Sequence, residues 1–81
     1  MTKNTINITD KETIIYLVAK GFNILNSYSD GTKSIMEFEK TKEFKKAILD
    51  YTNQRGSINI ADFLAAEKRV TNLFHINKKI V

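Results

Sequence analysis

Apolar residues along the chain recur at two periods, and each change of period marks a new element. In "TINITDKE" Ile6 and Ile8 alternate across a short extended segment, and Thr9 and Glu12 follow at capping-box spacing. A helix is expected from Asp10, with Thr9 accepting from the Glu12 N–H and Glu12 reaching back. Asp10 and Glu12 also suit the positive end of the helix dipole. Ile14, Leu17 and Val18 then repeat at helical spacing, Ile15 widens the stripe, and the run stops at "AKGF". Gly21 fits the left-handed residue that ends such a helix, and Lys20 suits the last carbonyls.

Alternation returns in "FNILNSYSDGTKSIMEFE", which reads as a hairpin. A two-residue Asp30-Gly31 loop sets Ile24 against Glu37 and Phe22 against Glu39, mixing apolar and charged side chains on one face. A three-residue loop, Ser29-Asp30-Gly31, pairs Phe22 with Phe38, Ile24 with Met36 and, on the other face, Leu25 with Ile35. The second register is the expected one, because Gly31 then occupies the left-handed third loop position of a type I turn with a G1 bulge. It makes the hairpin two-faced, with Leu25 and Ile35 partly covered or open to a partner.

Helical spacing resumes in "KTKEFKKAILDYTNQRG", with Thr41 as the N-cap and Phe44, Ala47, Ile48 and Tyr51 on one side. A third helix is expected from Ile60 to about Phe74, with Asn59 as its cap and Asp62 at the capping-box position. At ~100° per residue, Phe63, Ala66, Val70, Leu73 and Phe74 share a wide apolar side flanked by Ile60 and Leu64. Glu67 falls at the edge of that side, where it should reach water or a lysine, since an unpaired buried charge is costly. Residues 76–81, "INKKIV", read as a short tail. The order strand, helix, strand, strand, helix, helix predicts an α+β fold: a small three-stranded sheet covered by helices, in one domain over residues 1–81. Residues 5–8 can pair with either hairpin strand, and a parallel pairing would require a right-handed crossover.

Composition narrows the function classes. The 81 residues are 42% hydrophobic and 27% charged, too apolar for a disordered chain and enough for one modest core. The absence of cysteine removes disulfides, thiolate metal sites and thiol nucleophiles together. There is no proline and no internal repeat, hence no obvious linker. "MTKNTINITDKE" lacks a signal-peptide apolar run, and no stretch nears the ~18–20 apolar residues that span a bilayer. A cytoplasmic protein without membrane contact is expected.

The formal net charge of +4 favours an anionic partner. Nearly all of that charge is lysine, and only Arg55 and Arg69 offer the planar fork that reads guanine, which disfavours base-specific recognition. Two basic groups stand out. Lys40, Lys42, Lys45 and Lys46 surround the start of the second helix, where cations oppose the dipole; the ordinary reading is a solvated face, the sharper one a phosphate-facing patch. Arg55, Lys68, Arg69, Asn72, Lys78 and Lys79 form the second candidate contact set, for a protein partner or for nucleic acid. Within it Lys68 and Arg69 point about 100° apart around the helix. Tyr28 is the only aromatic outside the inferred cores, so an aromatic platform for single strands is lacking.

Catalysis finds little support. His75 is the single histidine and sits near the expected C-terminus of the third helix, where it would act as a terminal cap. Glu37 and Glu39 share a strand face that reads as solvated, and Gly21, Gly31 and Gly56 are scattered among turns. No enzyme, cofactor or metal is expected.

The segments "ITDKETIIYLVAKGFNIL", "SIMEFEKTKEFKKAILDY" and "INIADFLAAEKRVTNLFH" together resemble small bacterial and phage proteins of domain-of-unknown-function family 5659. The likeness covers most of the chain. Its most specific part is the junction Leu17, Gly21, Phe22 and the aromatic run Phe38, Phe44, Tyr51, all positions that determine fold. No catalytic or binding motif carries over. The resemblance implies a setting among compact accessory proteins of phages and mobile elements, which often occlude a larger machine or bind nucleic acid. The expectation is therefore a non-enzymatic interaction protein of a phage or mobile element. It would bind a protein partner through an exposed sheet edge or the third helix and inhibit a host nucleic-acid-handling or defence complex. The alternatives are a small basic DNA- or RNA-binding accessory protein and a homodimer joined through third helices or hairpin edges.

Overall fold

In the computed structural model, which describes the backbone of residues 4–80 and the side chains of residues 4–77, the elements follow the predicted order. They are β1 (Thr5–Ile8), α1 (Lys11–Ala19), β2 (Asn26–Ser29), β3 (Ser34–Glu39), α2 (Lys42–Thr52) and α3 (Ile60–Ile80). The fold is α+β, with one three-stranded sheet.

Capping chemistry sets the helix ends. Asp10, and not Thr9, is the N-cap of α1: its carboxylate accepts from the Thr13 N–H at 3.0 Å and from the Thr13 hydroxyl at 2.6 Å. The capping box expected from Thr9 and Glu12 is thus displaced by one residue, because a carboxylate holding two donors outcompetes a hydroxyl holding one. At the other end Gly21 adopts φ +100, with the Gly21 N–H donating to Val18 O and the Phe22 N–H to Leu17 O, a Schellman closure at the expected glycine. Thr41 caps α2 as predicted, its hydroxyl accepting from the Phe44 N–H at 3.1 Å. α2 ends in a second Schellman closure, Gln54 N–H to Tyr51 O and Arg55 N–H to Asp50 O, and here the left-handed residue is Gln54, at φ 58.

β3 lies at the centre of the sheet, between β1 and β2, and both pairings are antiparallel. β1 therefore needs no parallel crossover. Its Ile6 and Ile8 stand opposite Phe38 and Met36. Alternation buries Ser34, Met36 and Phe38 beneath the helices and leaves Ile35 and Glu37 half-buried, with Glu39 exposed, on the opposite face.

The hairpin register differs from the expected one. Met36 pairs with Ser27 instead of Ile24, and Ile35 with Tyr28 instead of Leu25. The cause lies in the loop of residues 30–33. Asp30 accepts from the Thr32 N–H, the Thr32 hydroxyl and the Lys33 N–H at 2.8–2.9 Å, and its own N–H donates to Lys33 O at 3.2 Å. This Asp-anchored turn satisfies more donors than a three-residue loop, and hydrogen bonding overrides hydrophobic matching. Gly31 still takes the left-handed conformation, at φ +97. A shift of odd length exchanges faces, so Leu25 and Ile35 no longer adjoin. Phe22 and Ile24 lie outside the strand, and Phe22 turns its ring edge-on to Phe44 at 5.4 Å.

The core is built from Ile14, Ile15, Tyr16 and Leu17 of α1, Met36 and Phe38 of β3, Phe44 and Ala47 of α2, and Ala66 and Val70 of α3. The Phe44 ring meets Phe22 edge-on and Phe38 at a tilt, both at 5.4 Å, tying α2 to the end of the sheet. α3 continues past Phe74 to Ile80, so residues 76–80 of the expected tail are helical. The reason is Asn77. It extends the buried stripe by one turn at 5% exposure, and its amide donates to the Ser27 hydroxyl at 3.1 Å. A polar residue inside an apolar stripe had hidden this turn.

Candidate interaction surfaces

The first turns of α3 stand apart from the core. Asn59 starts the helix by local bonding alone: its side-chain oxygen accepts from the Ala61 N–H at 2.8 Å and its carbonyl from the Phe63 N–H at 2.9 Å. Residues 60–65 are all exposed, whereas Ala66 and Val70 are buried. Ile60, Phe63 and Leu64, at 76%, 40% and 56% exposure, share one side of this free end. Phe63 was expected on the covered side. It is only partly covered.

Beside the free end, a cleft of about 580 Å³ is lined by Tyr16, Tyr51, Thr52, Gln54, Gly56 and Ile58. Tyr16 forms its floor, 6% exposed, with its ring 5.0 Å from that of Tyr51 and the Lys20 ammonium 5.7 Å from its centroid. Burial first, and the Asp50 carboxylate second, push the Tyr16 hydroxyl above its ordinary pKa. Gly56 shapes the wall. A β-carbon there would collide with the Tyr16 hydroxyl and ring, so this glycine serves close approach and not a turn.

The predicted basic residues fall into separate places. Lys42, Lys45 and Lys46 share the outer face of α2, opposite buried Phe44 and Ala47, and Leu49, 54% exposed, lies among them. Lys40 precedes the cap, its N–H donating to Asn4 O at 2.8 Å. The structure thus gathers three of the four lysines expected in this cluster. In the second set, Lys68 and Asn72 lie one turn apart on the outward side of α3, with exposed Arg69 about 100° away. Arg55 occupies the segment between α2 and α3, beside the cleft. The side chains of Lys78 and Lys79 lie outside the described residues. This set does not form one surface.

Two expectations about the surface are corrected. Leu25 opens with Phe22, Phe38 and Thr41 onto a shallow groove at the sheet end, while Ile35 lies on the other face beside Tyr28, so the two-faced apolar hairpin does not form. His75 lies inside α3, with Lys11, Thr71 and Phe74 around a shallow depression, and does not cap a helix end, because the helix runs on to Ile80. Both edge strands, β1 and β2, are only four residues long, and short edges discourage strand addition. Among the described residues, no group of three or more His, Asp or Glu is placed to hold a metal ion, and no helix is long and apolar enough to cross a membrane.

The family model described as Domain of unknown function (DUF5659) matches residues 3–77. This chain belongs to the DUF5659 family. Comparison with curated proteins and with solved structures returned no match. The DUF5659 match spans every element from β1 through Asn77 of α3, the turn that closes the core against β2. It thus takes in both the cleft and the free end of α3.

Proposed function

We propose that this DUF5659 protein is a non-enzymatic interaction protein of a phage or mobile element that acts by burying the free end of α3 against a protein surface. The observation that carries the proposal is the exposed trio Ile60, Phe63 and Leu64, set at the i, i+3, i+4 spacing with which helices enter apolar grooves. A contiguous exposed apolar patch on a helix is a candidate contact surface. In the host, such an end would occlude a nucleic-acid-handling or defence complex in the cytoplasm. The test is affinity capture from the host with the native chain and with Leu64→Asp, alongside thermal melts of both. Retained melting with loss of the captured protein supports the reading, and capture indifferent to Leu64→Asp removes it.

A second reading rests on the outer face of α2, where Lys42, Lys45 and Lys46 point the same way. Such a face suits a phosphate backbone without reading sequence. Fluorescence anisotropy of duplex DNA, single-stranded DNA and RNA across a salt series tests it. If all three lysines meet phosphates of a duplex, the slope of log K against log salt is about −2.7, and the Lys42→Glu, Lys45→Glu, Lys46→Glu triple variant abolishes it. Absence of binding at low salt ends this reading.

A further inference from the structure

We propose that the surface that covers the free end of α3 is a second copy of this chain, with Ile60, Phe63 and Leu64 of each copy entering the Tyr16–Tyr51 cleft of the other. The inference rests on the reading of the α3 end as a contact surface and names its partner.

The knob and the hole are neighbours on one molecule. Ile58 lines the cleft, and two residues later Ile60 begins the free end. A two-fold axis passing between them places each knob at the other copy's hole, the self-complementary arrangement that closed dimers require. The chemistry matches as well. The cleft offers two tyrosine rings, Ile58 and the bare backbone of Gly56, a surface suited to aliphatic and phenyl side chains.

Charge agrees with the same pairing. Glu67, exposed, follows Phe63 by four residues and Leu64 by three, so its carboxylate accompanies the knob. At the cleft stand Lys20, whose ammonium lies 5.7 Å from the Tyr16 ring centroid, and Arg55, between two lining residues. With the Asp50 carboxylate also beside Tyr16, the two cations leave the cleft rim one net positive charge opposite Glu67.

Area favours exchange in both directions over a single insertion. From their fractional exposures the three knob side chains offer on the order of 300 Å² per copy. One insertion buries knob and cleft wall to a total of about 400 Å², far below the range of specific interfaces. Two symmetric insertions reach about 800 Å², the size of a weak, concentration-dependent contact.

The test is sedimentation equilibrium of the full chain up to about 1 mM, a range that captures weak dimers. The native chain is expected to dimerise. Leu64→Asp, which spoils the knob, and Thr52→Trp, which fills the cleft from an exposed position, are each expected to sediment as monomers with unchanged circular dichroism. Mixed in equal amounts, they are expected to form a heterodimer through the one intact knob and hole, with affinity at least about tenfold below native. A native monomer throughout the range overturns the proposal, as does a dimer that survives Thr52→Trp, which would mean knob-to-knob pairing. A native monomer that captures a host protein through Leu64 overturns the second copy and keeps the contact surface. A native monomer whose capture ignores Leu64→Asp overturns both.

Discussion

Ile14 and Leu17 of α1 and Ile60 and Leu64 of α3 are aliphatic residues at helical spacing, yet the first pair is completely buried and the second pair is more than half exposed. Periodicity states which side of a helix is apolar. Whether anything lies against that side depends on where the other elements are, and the first turns of α3 keep much of that side exposed. Its middle and C-terminal turns rest on α1 and the sheet through Ala66, Val70, Leu73 and Asn77, while Ile60 and Leu64, on the turns launched by Asn59, stay more than half exposed. One helix thus contributes both core and contact surface.

The sharpest way to break this contrast is truncation on each side of it. Phe38→Ala is expected to cost about 3–5 kcal/mol in urea unfolding, because the ring is fully buried against Phe44. Leu64→Ser, measured at concentrations where the chain is monomeric, should cost under about 0.5 kcal/mol. A comparable loss at both sites would mean the α3 end is covered within its own chain. Next in size is Gly56→Ala, expected to cost about 1–3 kcal/mol as the new methyl displaces the packed Tyr16 ring, with the loss read in the same unfolding curves.

Smaller effects separate capped ends from strained ones. Asp10→Ala should cost about 1 kcal/mol by removing the carboxylate that starts α1. Hydrogen bonds from Thr13 hold the Asp10 carboxyl below its ordinary pKa, and those from Thr32 and Lys33 bring Asp30 down to about 2. A folded pKa below the unfolded one stabilises above the unfolded value and loses that stabilisation as pH falls through the folded value. Stability should therefore decline from about pH 4 toward pH 2, and Asp30→Ala should flatten that decline in acid titrations followed by circular dichroism. Last comes Gln54→Gly, expected to raise stability by about 0.5–1 kcal/mol, because glycine adopts φ 58 without the side-chain penalty.

Most of the architecture was legible because its signals are local. Thr41, Gly21 and Asn59 mark helix ends through bonds made within a few residues, and the switches between periods give the element order. The hairpin register was not legible, since it turns on how many donors Asp30 gathers, while the apolar pattern of Phe22, Ile24 and Leu25 argued for a different pairing. The last turn of α3 was hidden because its decisive residue, Asn77, is polar and its partner Ser27 lies fifty residues away. Of the candidate contacts, the α2 lysines could be placed on one face from spacing alone. The cleft could not, because Gly56 resembles an ordinary loop glycine until the Tyr16 ring is seen against it.

The bond between Asn77 and Ser27 also sets a schedule for synthesis. β3 leaves the ribosome while Val70 and Asn77 are still inside the exit tunnel, so Met36 and Phe38 emerge before part of their covering does. At ordinary elongation speeds of ~5–20 residues per second the gap lasts a few seconds. Throughout that interval the nascent chain presents apolar surface to chaperones. Closure then comes in one late step, when the final turns of α3 leave the exit tunnel.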